Sequence, residues 1–552
     1  MQLQVFILSM PMLCSALPSL YPAPAQESVG SSYWLDQGQR EIRRVEHETI
    51  RSLLKSRAKH VVLFIGDGMG VSTVTAARIL KGQLENSSGD EAQLSFERFQ
   101  HTALAKTYNT DYQTADSAGT ATAFLTGVKT RSGLLGVNGN AIRGNCSSLT
   151  DETRLTSFLR MAADEGRAVG IVSTTRLTHA TPAAAYSHSV DRGWESDSSS
   201  TSDDRSRCPD IARQMLLNAA DYKVILGGGR QNFLPEELKG KRKDGANLIR
   251  EWQAKQGSLN CSRRAYIETR NQLLDLEPDK VDCVLGLLSS SHMEYHAENM
   301  MKQNLSERQP SLAEMTTKAL ELLTVYGKDT GLVLLVEAGR IDHGHHGNQA
   351  NRALHETVAL SDAVEAAVQL LKQKKLLDET LMIVTADHSH VFTMGHYGLR
   401  GQPITQLKYK RNATTGRLQL YKAGDDLPLT VLNYADGRGA SKSRHDRWSI
   451  NATAEDTTKA DYQFPAMMLK SGESHGGEDV PVFARGPGSH LVQGVREQTH
   501  VAHVIMYSAH LGPYASSQRE SFQPTVAPNI KSAIFVNAAY IFKLVSGFVG
   551  FV

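Results

Sequence analysis

His60-Val61-Val62-Leu63-Phe64-Ile65-Gly66-Asp67-Gly68-Met69-Gly70 carries the first clear structural signal in the chain. An unbroken apolar run rich in β-branched residues predicts a strand buried on both faces of a parallel sheet. The glycine-rich turn after it places Asp67 at the carboxyl end of that strand. Open α/β sheets gather their ligands at such ends, and the glycines let backbone and ligand come close.

The same grammar recurs downstream. Residues 168–173 form an apolar run that leads into Thr174-Thr175-Arg176-Leu177-Thr178-His179-Ala180-Thr181. Residues 224–226 precede Gly227-Gly228-Gly229. Residues 332–336 end in Glu337 and run on to Ile341-Asp342-His343-Gly344-His345-His346, and residues 381–385 end in Ala386-Asp387-His388. Helical periodicity fills 155–165, 211–220, 311–326 and 351–375 between them. Strands alternating with helices predict an α/β fold, a large mostly parallel central sheet with helices on both faces. Residues 391–473 are charged and rich in Gly, Asn and Asp around short strands such as 418–421 and 429–434, and read as a small, mostly-β insertion. The core resumes after Ser474-His475-Gly476-Gly477-Glu478-Asp479 and extends to about residue 515. Residues 33–57 place apolar side chains at helical spacing and predict an N-terminal helical arm, 26–58.

Lys+Arg number 60 against Asp+Glu 58, a balance that gives no reason to expect nucleic-acid recognition. Residues 1–25 read as a secretory signal, with apolar runs and Ala23-Pro24-Ala25 before Gln26. Six Asn-x-Ser/Thr sites, at Asn86, Asn145, Asn260, Asn304, Asn412 and Asn451, fit a secreted glycoprotein. Beyond Cys14 four cysteines remain, and two disulfides are expected. Cys146–Cys208 with Cys261–Cys283 is the simplest of three pairings. After Ala515-Ser516-Ser517 comes a polar spacer and an apolar tail, so 516–552 reads as a GPI-anchor signal, which would leave the protein on the extracellular face of the plasma membrane. Lys543 would sit badly in a true membrane span.

The chemistry centres on residues 114–122, Thr-Ala-Asp-Ser-Ala-Gly-Thr-Ala-Thr. Ser117 starts a short helix of small residues that Gly127 ends, and a helix N-terminus favours an incoming phosphate. Alone, Asp116-Ser117 would be an ordinary cap, because a serine hydroxyl needs a base or a metal to attack. The metal ligands are supplied by Asp67, Glu337, Asp342, His346, Asp387, His388 and His475. Asp342 and His346 are four apart and share one helical face. Mixed His/Asp donors suit zinc with an open position, while Asp67, Glu337 and a threonine hydroxyl suit magnesium. Two zinc ions about 4 Å apart would flank an in-line phosphoryl displacement, and Arg192 would hold the non-bridging oxygens. His343, His345 and His390 are read as supporting residues rather than ligands.

Taken together, residues 65–70, 115–127, 174–183, 336–347, 384–391 and 474–487 resemble the alkaline phosphatases of the animal type, over about 61–512. The resemblance implies Ser117 as the phosphorylated serine and Arg192 as the phosphate-binding arginine. It implies one zinc on Asp342, His346 and His475, a second on Asp67, Asp387, His388 and Ser117, and magnesium on Asp67, Thr181 and Glu337. His179 and His343 match positions just outside the ligands. Tyr397 matches a tyrosine that reaches toward the other subunit of a homodimer, and 391–473 matches a crown insertion. The chain departs from the family at the calcium site of animal relatives, where acidic positions read His296 and Gln309, and in having no cysteine after Cys283. The implied activity is hydrolysis of a broad range of phosphate monoesters to inorganic phosphate at alkaline pH. The alternatives are a phosphodiesterase or sulfatase on the same framework, or a metal-stabilised surface glycoprotein with no activity. A sulfatase would need a Cys-x-Pro-x-Arg type motif, which Ser117 lacks, and a phosphodiesterase would more often use threonine and lack Arg192.

Overall fold

The computed structural model describes residues 57–199, 208–255, 261–441 and 457–515. The expected signal, nearly all of the helical arm, the anchor signal, Asn260 and Asn451 lie outside them. In chain order the strands of the core are β1 (His60–Gly66), β2 (His101–Lys106), β3 (Ala168–Arg176), β4 (Val224–Gly228), β5 (Arg264–Ile267), β6 (Cys283–Leu287), β7 (Leu332–Ala338) and β8 (Thr380–Ala386). Shorter strands follow: β9 (Ser389–His390), β10 (Phe392–Met394), β11 (Tyr409–Arg411), β12 (Leu418–Leu420), β13 (Leu432–Gly437), β14 (Ala466–Leu469) and β15 (His475–Gly476). The last two are β16 (Val480–Arg485) and β17 (Gly494–Glu497).

One sheet of ten strands runs in the order β17-β2-β16-β8-β1-β7-β3-β4-β6-β5. From β8 to β5 all neighbours are parallel. β16 lies antiparallel to both β8 and β2. Every residue of β1, β7 and β8 is buried, as a sheet covered on both faces requires. Helices Leu312–Tyr326 and Ala350–Gln373 pack on each other and on β7, while Ser117–Thr126, Phe158–Asp164 and His500–Ala509 form a second group, from which His500–Ala509 reaches β1.

Register explains why distant acidic residues meet. Ser173, Glu337, Ile65 and Thr385 lie side by side across β3, β7, β1 and β8. Asp67 and Asp387 each stand two residues beyond this row, so three carboxylates leave the sheet at one end. The strand at 224–226 continues through Gly227 and Gly228, which the sequence reading left in a turn. A Cβ on Gly228 would stand 2.1 Å from the carbonyl oxygen of Ser291, so the close passage of that segment accounts for the glycine. Only Gly229 has a turn conformation, φ +97°.

Within residues 391–473 lie two small sheets, β10-β13-β14 and β11-β12, and β13 begins three residues later than the expected 429. At the ends of this stretch β15 pairs antiparallel with β9, which sets His475 opposite His390. Cys146 is bonded to Cys208 and Cys261 to Cys283. Asn86, Asn145 and Asn304 are exposed and Asn412 is half-buried.

A second group of buried charges lies by the start of helix Ile211–Asn218. Arg242 is 1 % exposed, yet all five of its N–H groups have acceptors. It donates to both oxygens of Asp210 at 2.9 and 3.0 Å, to both of Asp244 at 3.1 and 2.6 Å, and to the Asn232 carbonyl at 3.3 Å.

Candidate metal centre

Ser117 begins the helix Ser117–Thr126, all of whose residues are buried, and Gly127 ends it with φ +81°. Asp116 caps that helix by accepting from the N–H of Gly119 at 3.2 Å and of Ala118 at 3.4 Å. The same carboxylate accepts from Gly133 N–H at 3.1 Å, Asn109 Nδ2 at 2.9 Å and Arg192 Nη1 at 3.0 Å. Burial opposes its charge, but Arg192 and the N–H donors prevail and hold its pKa below the usual value. Capping and function are therefore not alternatives here, because one residue fixes both the nucleophile's helix and the guanidinium.

The expected donors fall into three groups: Asp342, His346 and His475, joined by His390; Asp67, Asp387 and His388; and Asp67 and Glu337, joined by His179. In the first group His346 Nε2 lies 3.2 Å from Asp342 Oδ1 and 3.1 Å from His475 Nε2, which is itself 3.3 Å from Asp342 Oδ1. Backbone carbonyls fix the tautomers. His346 Nδ1 donates to Glu473 O at 2.6 Å and His475 Nδ1 to Ala115 O at 2.8 Å. A neutral ring that donates from Nδ1 presents a lone pair at Nε2. Three possible ligand atoms thus face one another, and Asp342 Oδ1 also accepts from His390 Nε2 at 2.8 Å. Their separations match the edge of about 3.3 Å of a tetrahedron with arms of about 2.0 Å, the reach of zinc to nitrogen or oxygen.

The second group repeats the arrangement. His388 Nδ1 donates to Ser389 O at 3.2 Å, and its Nε2 lies 3.2 Å from Asp387 Oδ2, 3.6 Å from Asp67 Oδ1 and 3.1 Å from Ser117 Oγ. The rings of His388 and His475 stack at 3.6 Å, so the two groups are adjacent. In the third group Glu337 accepts from Ser173 and, at 3.0 Å, from Thr175. Its Oε1, both oxygens of Asp67, Thr181 Oγ1 and His179 Nδ1 are buried without a hydrogen-bond partner.

The electrostatics make the same demand. Burial, then the charges of Asp387, Asp342 and Glu337, push Asp67 well above the ordinary carboxylate range. Burial lifts Glu337 to about 7 and, with Asp342 nearby, raises Asp387. Buried carboxylates that repel one another and keep free oxygens call for cations. The donor sets fit zinc at the two histidine-bearing groups and magnesium at the oxygen-rich third.

Arg192 Nη2 lies 3.3 Å from His179 Nε2, and the rings of His179, His343 and His292 are mutual neighbours at 4.3–5.4 Å. His345 is held by Thr73 and Tyr434. His390 joins Asp342 to Glu473. Glu473 and His292 escaped the sequence reading. For Glu473 the one available signal was its place two residues before His475. His296 and Gln309 make backbone contacts, His296 N–H donating to Glu356 at 2.5 Å and Gln309 Oε1 accepting from Glu294 N–H at 2.8 Å. Tyr397 is 95 % exposed.

A sheet that delivers acidic and histidine donors around a helix-start serine defines a metal-dependent hydrolase of phosphate esters. A profile of the family described as alkaline phosphatase matches residues 58–511. The chain is 42 % identical over 533 residues to the tissue-nonspecific alkaline phosphatase of Gallus gallus, covering 94 % of this chain and 96 % of that one. It is 40 % identical to a membrane-bound alkaline phosphatase of Bombyx mori, covering 88 % and 86 %. Among solved structures it is similar in fold to the alkaline phosphatase of Thermus thermophilus, with TM-score 0.57 and 23 % identity over 82 % of this chain and 91 % of that one. The chain belongs to the alkaline phosphatase family and is a phosphate monoester hydrolase. Among the described residues no helix is long and apolar enough to cross a membrane.

Proposed function

We propose that the chain hydrolyses a broad range of phosphate monoesters through a phosphoserine on Ser117. The observation that carries this is the hydroxyl of Ser117, buried at a helix start and 3.1 Å from His388 Nε2 of the second donor group. Asp342, His346 and His475 would hold one zinc ion, Asp67, Asp387 and His388 the second, and Asp67, Glu337 and Thr181 a magnesium ion. When bound, the zinc ions supply charge stabilisation at the entering and leaving oxygens of an in-line displacement and lower the pKa of the attacking groups.

The chain's own groups do the rest. The Arg192 guanidinium receives the phosphoryl oxygens. Asp116 keeps that guanidinium aimed by its 3.0 Å contact. The second half of the reaction is attack of water on the phosphoserine, with release of inorganic phosphate. The reading includes an alkaline optimum; in the metal-free chain burial raises Asp67, Glu337 and Asp387, so cation binding releases their protons and is favoured as pH rises.

This reading assigns 1–25 as signal, 26–58 as arm, 59–390 and 474–515 as catalytic core, 391–473 as crown-like insertion and 516–552 as a removed GPI-anchor signal. The fully exposed Tyr397 supports a homodimer in which it meets the second subunit. The membrane-bound relative supports membrane association, which this reading assigns to a lipid anchor on the extracellular face. Ser117→Ala tests the core of the proposal. It lowers kcat/KM for an aryl phosphate by at least about a thousandfold and abolishes covalent 32P labelling at pH 5. Undiminished turnover would remove Ser117 as nucleophile.

A further inference from the structure

Arg143 belongs to no group of buried charges; it is exposed, in the loop that precedes Cys146. Its guanidinium grips Asp191 as a fork, Nε donating to Oδ2 at 3.0 Å and Nη2 to Oδ1 at 3.5 Å. An ion pair this open to water adds little to stability. Its place in a web of contacts gives it another use, because Asp191 immediately precedes Arg192.

The turn that carries Arg192 is tied down on every side. The Asp191 carboxylate also accepts from the N–H of Gly193 at 2.8 Å, so it bridges across Arg192. The main-chain N–H of Arg192 donates to Gly133 O at 2.9 Å, and Gly144, next to Arg143, donates its N–H to Val190 O at 3.0 Å. Arg143 covers the same junction from outside. Gly133 has φ +79°, and a Cβ on it would stand 2.5 Å from Arg143 Cζ and 2.7 Å from Nε and Nη1, so the guanidinium lies face-on against that bare glycine. Gly133 in turn donates its N–H to Asp116 at 3.1 Å, and Asp116 holds the Arg192 guanidinium at 3.0 Å. Asp116 thus fixes the tip of Arg192, and Arg143 fixes its root.

The root matters because the side chain is long and its planar fork must match phosphoryl oxygens in direction as well as distance. A shift of the main chain is carried outward to that fork, and a misplacement of about 1 Å can cost about a hundredfold.

We infer that Arg143 is a positioning residue for Arg192, acting through Asp191 and Gly133. This rests on the reading of Arg192 as the group that receives the phosphoryl oxygens.

The test uses the full-length protein loaded with zinc and magnesium. It measures kcat and KM for an aryl phosphate, and competitive inhibition by inorganic phosphate. Arg143→Met keeps the stem and removes the fork. It raises KM and the phosphate inhibition constant together, by about three- to thirtyfold. Asp191→Asn does the same from the other side of the contact, which keeps the inference testable if the first variant folds poorly. Arg143→Lys keeps the charge without the planar fork, so its constants stay near those of Arg143→Met. Added to Arg192→Ala, Arg143→Met causes no further loss, because one residue acts through the other. Wild-type KM and phosphate inhibition in both Arg143→Met and Asp191→Asn would overturn the inference even if kcat fell, since a merely structural role shrinks the active fraction and leaves both constants alone. Full rescue by Arg143→Lys would overturn it too, by replacing positioning with simple attraction of the anion. An Arg192→Ala protein with wild-type phosphate inhibition would instead overturn the reading of Arg192 on which the inference stands.

Discussion

Two groups of buried charge in this molecule are built in opposite ways. Around Arg242 every N–H has an acceptor, and the acidic residues face cations held within the chain, Arg242 and, at 3.9 Å from Asp244, Arg213. Around Asp67 the carboxylates face one another, and both of its oxygens have no donor. The first group is electrically complete within the protein. The second becomes complete when divalent ions enter. Burial alone does not mark a functional site, since both groups are buried; what separates them is whether the protein answers its own charges.

The widest separation of the two groups comes from metal removal. A chelator abolishes activity and lowers stability by about 3 kcal/mol for each ion that was present at a hundred- to thousandfold excess over its Kd. Calorimetry of chelated and reloaded protein reads both states, and equal melting temperatures would place the Asp67 group with the complete kind. Arg242→Met attacks the other group. It strands Asp210 and Asp244 and costs about 3–5 kcal/mol in urea unfolding, while kcat/KM of the metal-loaded protein stays at the wild-type value. Lost activity without lost stability would break the comparison from that side.

The smallest effect is a pH dependence. In metal-free protein burial raises Glu337 from an ordinary 4.5 to about 7. A raised acid favours folding while it holds its proton, so this contribution is complete below about pH 4.5 and gone above about pH 7. It amounts to at most about 3 kcal/mol. Stability of the chelated protein therefore falls across that window. In loaded protein the ions hold Glu337 ionised, so its fall in stability is absent across that window. A flat profile in the chelated protein would mean that Glu337 is not a strained acid.

The centre of the sheet was legible because β1, β7 and β8 are long apolar runs that end in an acidic residue or one step before it. Asp342 and His346 were legible from their spacing. Strands β2 and β5 were not, because His-Thr-Ala-Leu-Ala-Lys and Arg-Ala-Tyr-Ile bury only part of their side chains and carry alanine and charge. Glu473 was illegible for a different reason. Its meaning comes from His390, 83 residues earlier, which β9 and β15 bring alongside, and no local pattern reports so distant a closure. The sequence also left three cysteine pairings open, and the chain path selects between them.

One carboxylate has a mechanical consequence. Asp116 gathers donors from the 109 loop, the start of the Ser117 helix, the 133 loop and Arg192. Nucleophile and guanidinium are therefore moored to the same post. Thermal jostling carries the two together, as common-mode drift, and leaves the gap between them, into which the phosphoryl group must fit, almost undisturbed.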